Sequence, residues 1–132
     1  MVGINLLAVV AAAVAAFFAS FVWYMIFGKE LAKVSPAFAE LQAQRPQPQN
    51  MLVVIIGSLI LAFVIAYLLR GMDIHYWFGG MLLGGLLWIG LSAVQWASSI
   101  VWEKVPLKMA AIHAGDWLVK LMLIGAIIAA WQ

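Results

Sequence analysis

The stretch "MLVVIIGSLILAFVIAYLL", Met51 to Leu69, carries no charged residue, and Ser58 and Tyr67 are its only hydroxyl-bearing side chains. Its length is close to the ~20 residues that an α-helix needs to cross a hydrocarbon core about 30 Å thick. Three other runs share this character. Working outward, they are Asn5 to Phe27, Trp77 to Val101 and Met109 to Trp131. A backbone in lipid satisfies its hydrogen bonds only as a helix or a closed barrel. The alternating apolar and polar pattern of barrel strands is absent from these runs. The sequence therefore predicts an all-α, polytopic membrane protein with four transmembrane helices in one bundle.

Composition agrees. The chain has 132 residues, 67% hydrophobic and 9% charged, with mean hydropathy +1.11. Soluble domains carry roughly 25% charged residues, and a soluble chain this short leaves much of its surface in water. The solvent is therefore expected to be the lipid bilayer. Cysteine is absent, so disulfides, thiol nucleophiles and cysteine metal sites are excluded. A net charge of +2 gives no footing for nucleic acid. The first run has no basic segment before it and is longer than a signal-peptide core. It is expected to be an uncleaved first helix.

Basic residues set the expected orientation. Lys29, Lys33 and Arg45 fall in the first connection, Lys104 and Lys108 in the third, and Arg70 alone in the second. The positive-inside rule then places the first and third connections in the cytoplasm and both termini on the outer side. Trp23, Tyr24, Tyr67, Tyr76, Trp77, Trp102 and Trp131 lie near span ends, where an interfacial aromatic belt is expected. In the first connection, Ser35 can cap a helix that has Pro36 at its first position. A short interfacial helix over 36–44 is the expectation, followed by "RPQPQN" (45–50) as a stiff, extended lead-in. No proline interrupts a span.

Small residues predict where helices meet, because close approach in lipid depends on them. Ala8, Ala12 and Ala16, followed by Ser20, form a ladder of four-residue spacing in the first span. Gly80 and Gly84 repeat that spacing in the third. Such faces fit packing within the bundle, in a homo-oligomer, or against another membrane protein.

The fourth span opens with "IHAGDWLVK", residues 112–120. On a 100° helical repeat, His113, Asp116 and Lys120 fall within about 60° of one another. Lys120 lies ~16 Å beyond Met109, near the bilayer middle. A charge there costs about 2.5–3.5 kcal/mol. Asp116 and Lys120 stand at i and i+4 with the acid first, the favourable order, so a self-neutralising pair facing the bundle interior is expected. Counting from the inner end of each span puts Ser20, Ser58, Gln95 and Asp116 at about one depth, which predicts a shared polar layer. Ser92, Ser98, Ser99 and His113 lie within about a turn and a half of it. Their i, i+3 spacing lets His113 and Asp116 offer two metal ligands, but a third and fourth are not evident. No metal, no cofactor and no enzyme activity are expected, since no catalytic constellation or phosphate loop is recognisable.

"NLLAVVAAAVAAFFASFVWYMIFGK" (Asn5 to Lys29) resembles the opening of a bacterial inner-membrane family catalogued as domain of unknown function 1761. The likeness lies in an alanine-rich helix leading to Trp23, Tyr24, Phe27, Gly28 and Lys29. "PLKMAAIHAGDWLVKLMLIGAIIAAW" (Pro106 to Trp131) is similar to that family's closing helix. The resemblance implies a four-helix protein of the bacterial inner membrane and supplies no activity. It also implies that a polar residue at the position of His113 is general in the family. The Asp116–Lys120 pair departs from the pattern. Two functions stay open. In one, the polar layer of His113, Asp116, Lys120, Gln95, Ser20 and Ser58 binds or passes a small polar solute or ion. In the other, the protein is a structural or accessory membrane subunit and the pair is purely structural.

Overall fold

The computed structural model describes residues 3–44 and 47–131, and everything it describes as regular is helical. The elements are α1 (Leu6–Val34), α2 (Pro36–Ala43), α3 (Pro48–Gly71), α4 (Trp77–Leu87), a π-helical turn (Trp88–Ala93), α5 (Val94–Trp102) and α6 (Leu107–Trp131). α4, the π turn and α5 form one continuous rod from Trp77 to Trp102. With α1, α3 and α6 this makes four helices long and apolar enough to cross a membrane.

α1 starts where the Asn5 side chain accepts from the Ala8 N–H at 3.1 Å. It does not stop at Phe27. The helix runs on through Gly28–Val34, because Lys and Glu are good helix formers and Lys33 pairs with Glu30 at 3.2 Å. Pro36 ends it by disfavouring helical geometry at Ser35, which is extended at φ −129°. Ser35 then caps α2, accepting from the Phe38 N–H at 3.2 Å. α2 folds back on α1, with the Phe38 ring 6.0 Å from that of Tyr24. In the expected extended lead-in, Arg45 and Pro46 lie outside the described residues. Pro48 to Asn50 are helical instead, since proline at a first helical position sacrifices no hydrogen bond.

α3 ends in a Schellman cap: the Ile74 N–H reaches the Leu69 carbonyl at 2.9 Å, with Asp73 left-handed at φ 58°. Ile74 then packs on the core. At this end Asn5 Nδ2 donates to the Trp131 carbonyl at 3.4 Å. At the other end Lys108 pairs with Glu30. The first and third connections therefore share one end of the bundle, and the beginning of α1 and the end of α6 share the other.

The rod and α6 make the closest crossing. A Cβ added to Gly80 would fall on the Gly125 carbonyl and 2.6 Å from the Ala129 Cβ. One added to Gly84 would fall on the Leu121 backbone. Ala8, Ala12 and Ala16 on α1 are fully buried, as are Ala62, Ile65 and Leu69 on α3 and Ile124 and Ile128 on α6. By contrast, every residue from Met51 to Gly57 is exposed, so the first half of α3 stands apart from the other helices. Large apolar side chains such as Met25, Val53, Leu86 and Leu91 are more than 60% outside the protein. A water-soluble monomer does not expose so continuous an apolar surface; a lipid solvent matches it.

Candidate functional site

The polar residues of α6 meet α1 at its fifth and sixth turns, from Ser20 to Tyr24. Asp116 is 3% exposed. Its Oδ1 accepts from the Ser20 hydroxyl at 2.6 Å. Its Oδ2 lies 3.5 Å from the Tyr24 hydroxyl and 3.5 Å from Lys120 Nζ. The ammonium also rests 4.0 Å from the centroid of the Trp117 ring. Tyr24 is the hinge of the cluster, because its hydroxyl is also 2.7 Å from His113 Nδ1.

The geometry couples His113 to Asp116. Tyr24 has a single O–H proton. When Nδ1 is bare, Tyr24 donates to it. When Nδ1 carries a proton, the ring donates to the tyrosine oxygen, and the phenol proton is free to turn to Asp116 Oδ2. His113 is fixed from its other side by Trp96, whose ring is parallel within 8° at a centroid distance of 5.2 Å.

Two further tryptophans hold the backbone of this turn. Trp23 Nε1–H donates to the Ile112 carbonyl at 2.9 Å, and Trp88 Nε1–H to the Ala114 carbonyl at 2.7 Å. Gly115 makes the first of these possible, since a Cβ there would sit 2.5 Å from the Trp23 ring. Trp23 and Tyr24 therefore turn their polar atoms into the bundle instead of serving only in an aromatic belt. The reason is the extension of α1, which leaves them well inside the helix. Sequence reasoning missed both, as well as Trp88 and Trp96. A signal was present: Ser20 and Tyr24 stand at i, i+4, the same one-turn spacing that separates Asp116 from Lys120.

The expected polar layer forms only in part. Ser20, His113, Asp116 and Lys120 come together. Ser58 does not join them. It lies in an apolar cleft between α1 and α3 lined by Ala13, Phe17 and Phe18, because α3 first meets the bundle there through α1. Ser99 bonds Glu103 at 3.4 Å instead. Gln95 makes no hydrogen bond to the cluster among the described residues, and lines a second cleft of about 250 Å³ with Leu61, Leu91, Ser92, Trp96, Trp117 and Leu121. Ser92 is 8% exposed, and its Oγ is buried without a hydrogen-bond partner among the described residues. No third His, Cys, Asp or Glu joins His113 and Asp116 as a possible metal ligand among the described residues.

Four long apolar helices and a buried polar cluster between the first and last of them define a multi-pass membrane protein. The model of the family described as "Protein of unknown function (DUF1761)" matches residues 7–129, and the chain belongs to that family. No curated protein and no solved structure matches it.

Proposed function

We propose that the protein resides in the bacterial inner membrane and binds a small polar or amphipathic solute at the level of its polar layer, without catalysis. The seat is the cleft beside the cluster rather than the cluster itself. Asp116 already has both oxygens engaged by Ser20, Tyr24 and Lys120, whereas Ser92, whose buried hydroxyl has no partner among the described residues, lines a cleft of about 250 Å³. That hydroxyl carries the reading, since a buried polar group without a partner costs about 1–3 kcal/mol. Trp96 and Trp117 join the two parts: each lines the cleft, and one stacks on His113 while the other underlies Lys120. In this reading Asp116 and Lys120 form an intramembrane ion pair that fixes α6 against α1 and sets the field at the cleft wall. The basic residues of the first and third connections support a cytoplasmic location for that end and an outer location for both termini.

Native mass spectrometry of the protein purified from host membranes tests the reading. A bound small molecule is expected on the wild type and is lost when Ser92→Leu fills the cleft. A wild-type protein that carries no such mass overturns it. The saturation of Asp116 favours a second reading, a structural or accessory subunit that joins another membrane protein or a second copy. On that reading Asp116→Asn with Lys120→Met preserves both the fold and every associated partner. A reporter active only in the cytoplasm, fused after Gln132, is expected to be silent.

A further inference from the structure

We infer that the cleft beside the cluster takes a single-ring, uncharged, membrane-dissolved molecule bearing carbonyl or hydroxyl oxygens, the chemistry of a quinone headgroup. This rests on the proposed binding role of the cleft and names its ligand class. Four observations select it. First, the lining residues are Leu, Ser, Gln and Trp, with no charged group among them. A charged ligand would find no counter-ion among the lining residues, and the nearby Lys120 is already paired with Asp116, so its desolvation would cost several kcal/mol. Second, the cleft opens on the outward face of the rod, where Leu91 and Gln95 are both exposed. Leu91 is 65% exposed and Val94, in the next turn, is 61% exposed. Ser92 stands ten residues before the end of α5 at Trp102, so it lies ~15 Å from that end of the rod. Entry is through lipid.

Third, two indoles line the cleft. Trp96 is held rigid by its stack on His113, and flat rings offer flat ligands favourable offset contacts. Fourth, the polar groups match oxygens in either hydrogen-bonding role. Ser92 and Gln95 both line the cleft. A serine hydroxyl and a glutamine amide each both donate and accept, so they serve a carbonyl and a hydroxyl equally well. The volume of about 250 Å³ is below the roughly 300–1,000 Å³ of drug-sized sites, which fits one ring and leaves any tail in the bilayer.

The test uses the full chain in nanodiscs of phosphatidylethanolamine and phosphatidylglycerol, titrated with a decyl-substituted benzoquinone. Quinones quench indole fluorescence by accepting an electron from the excited ring. Saturable quenching is expected, and decylbenzene, which lacks the oxygens, does not displace the probe. Ser92→Ala weakens binding about 5-fold, the equivalent of one hydrogen bond, and Gln95→Leu at an exposed position does the same. Quenching that rises linearly with the lipid content of the probe, displacement by decylbenzene, or affinity unchanged in both variants overturns the ligand class. If those results come with a different molecule bound in native mass spectrometry and lost in Ser92→Leu, the binding role stands and only the class falls. If no molecule is bound either, both fall.

Discussion

Replacing Lys120 by methionine removes the one cation within salt-bridge reach of Asp116 among the described residues. The carboxylate is 3% exposed and keeps the Ser20 and Tyr24 hydroxyls. Breaking a buried pair by removing one partner costs about 3–5 kcal/mol, and a lone acid at a membrane-helix centre about 2.5–3.5 kcal/mol. With the Ser20 donor retained, and the Tyr24 proton available when His113 Nδ1 carries its own, about 3 kcal/mol is expected. Asp116→Asn is milder. The Lys120 side chain is 15% exposed and has a ring beneath it. Its stem is also long enough to carry the ammonium toward an interface. A loss of about 1–2 kcal/mol follows, the scale of the lost charge-assisted bond. The double variant leaves no charge to solvate and should lie within about 1 kcal/mol of the wild type, as when buried pairs give way to neutral groups. Reversible unfolding in mixed micelles titrated with dodecyl sulfate, followed by tryptophan fluorescence, gives all three values. The reasoning is refuted if Asp116→Asn costs more than Lys120→Met, or if the double variant costs the sum of the singles.

The remaining expectations concern packing and caps. Gly80→Leu and Gly125→Leu must separate the rod from α6 and should each lose at least the ~1–3 kcal/mol of overpacking. Gly85→Leu, which meets nothing within 4 Å, stays within about 0.5 kcal/mol in the same unfolding assay. Asp73→Gly relieves a left-handed residue at φ 58°, worth roughly 1–2 kcal/mol, but loses the 2.5 Å contact with His75; a small rise in Tm is expected. Trp88→Phe deletes the bond to the Ala114 carbonyl and should cost about 0.6–1.7 kcal/mol. Trp102→Phe, at a side chain 81% exposed, costs nothing measurable by comparison.

The four spans were legible because apolar runs of bilayer length have few other readings. Their ends were less so. Gly28 to Val34 looks like a polar connection by hydropathy, yet nothing before Pro36 stops a helix there. The association of Asp116 with Lys120 was readable from one helix alone, since i, i+4 geometry is local. What joins α6 to α1 was not. Depth counting placed Ser20 correctly beside Asp116, but it placed Ser58 there too, because depth says nothing about which neighbour a helix faces. At the level of Ser58, α3 faces α1, so Ser58 lies among phenylalanines. The tryptophans misled for a related reason. An indole near a span end serves an interface or a carbonyl equally well, and only the opposite helix decides which.

The π turn was invisible in sequence, and it explains why one face of the rod stays on α6. Gly80, Gly84, Trp88, Ser92 and Trp96 are spaced by four. The first two lie against Gly125 and Leu121, Trp88 donates to the Ala114 carbonyl, Ser92 is buried, and Trp96 covers His113. In a straight α-helix each step of four drifts by about 40°. Four steps would carry Trp96 to nearly the opposite side from Gly80. Helix crossing corrects part of that drift. A wide turn over Trp88–Ala93, which closes on i+5 instead of i+4, absorbs an extra residue and takes back more. Such turns recur at functional sites, and the cost here is local: the π segment contains the one buried hydroxyl left without a partner among the described residues. The distortion that helps bring Trp96 onto His113 is thus the one that contains Ser92, a residue of the cleft lining, which ties the saturated cluster and the unsatisfied cleft to a single feature of the third span.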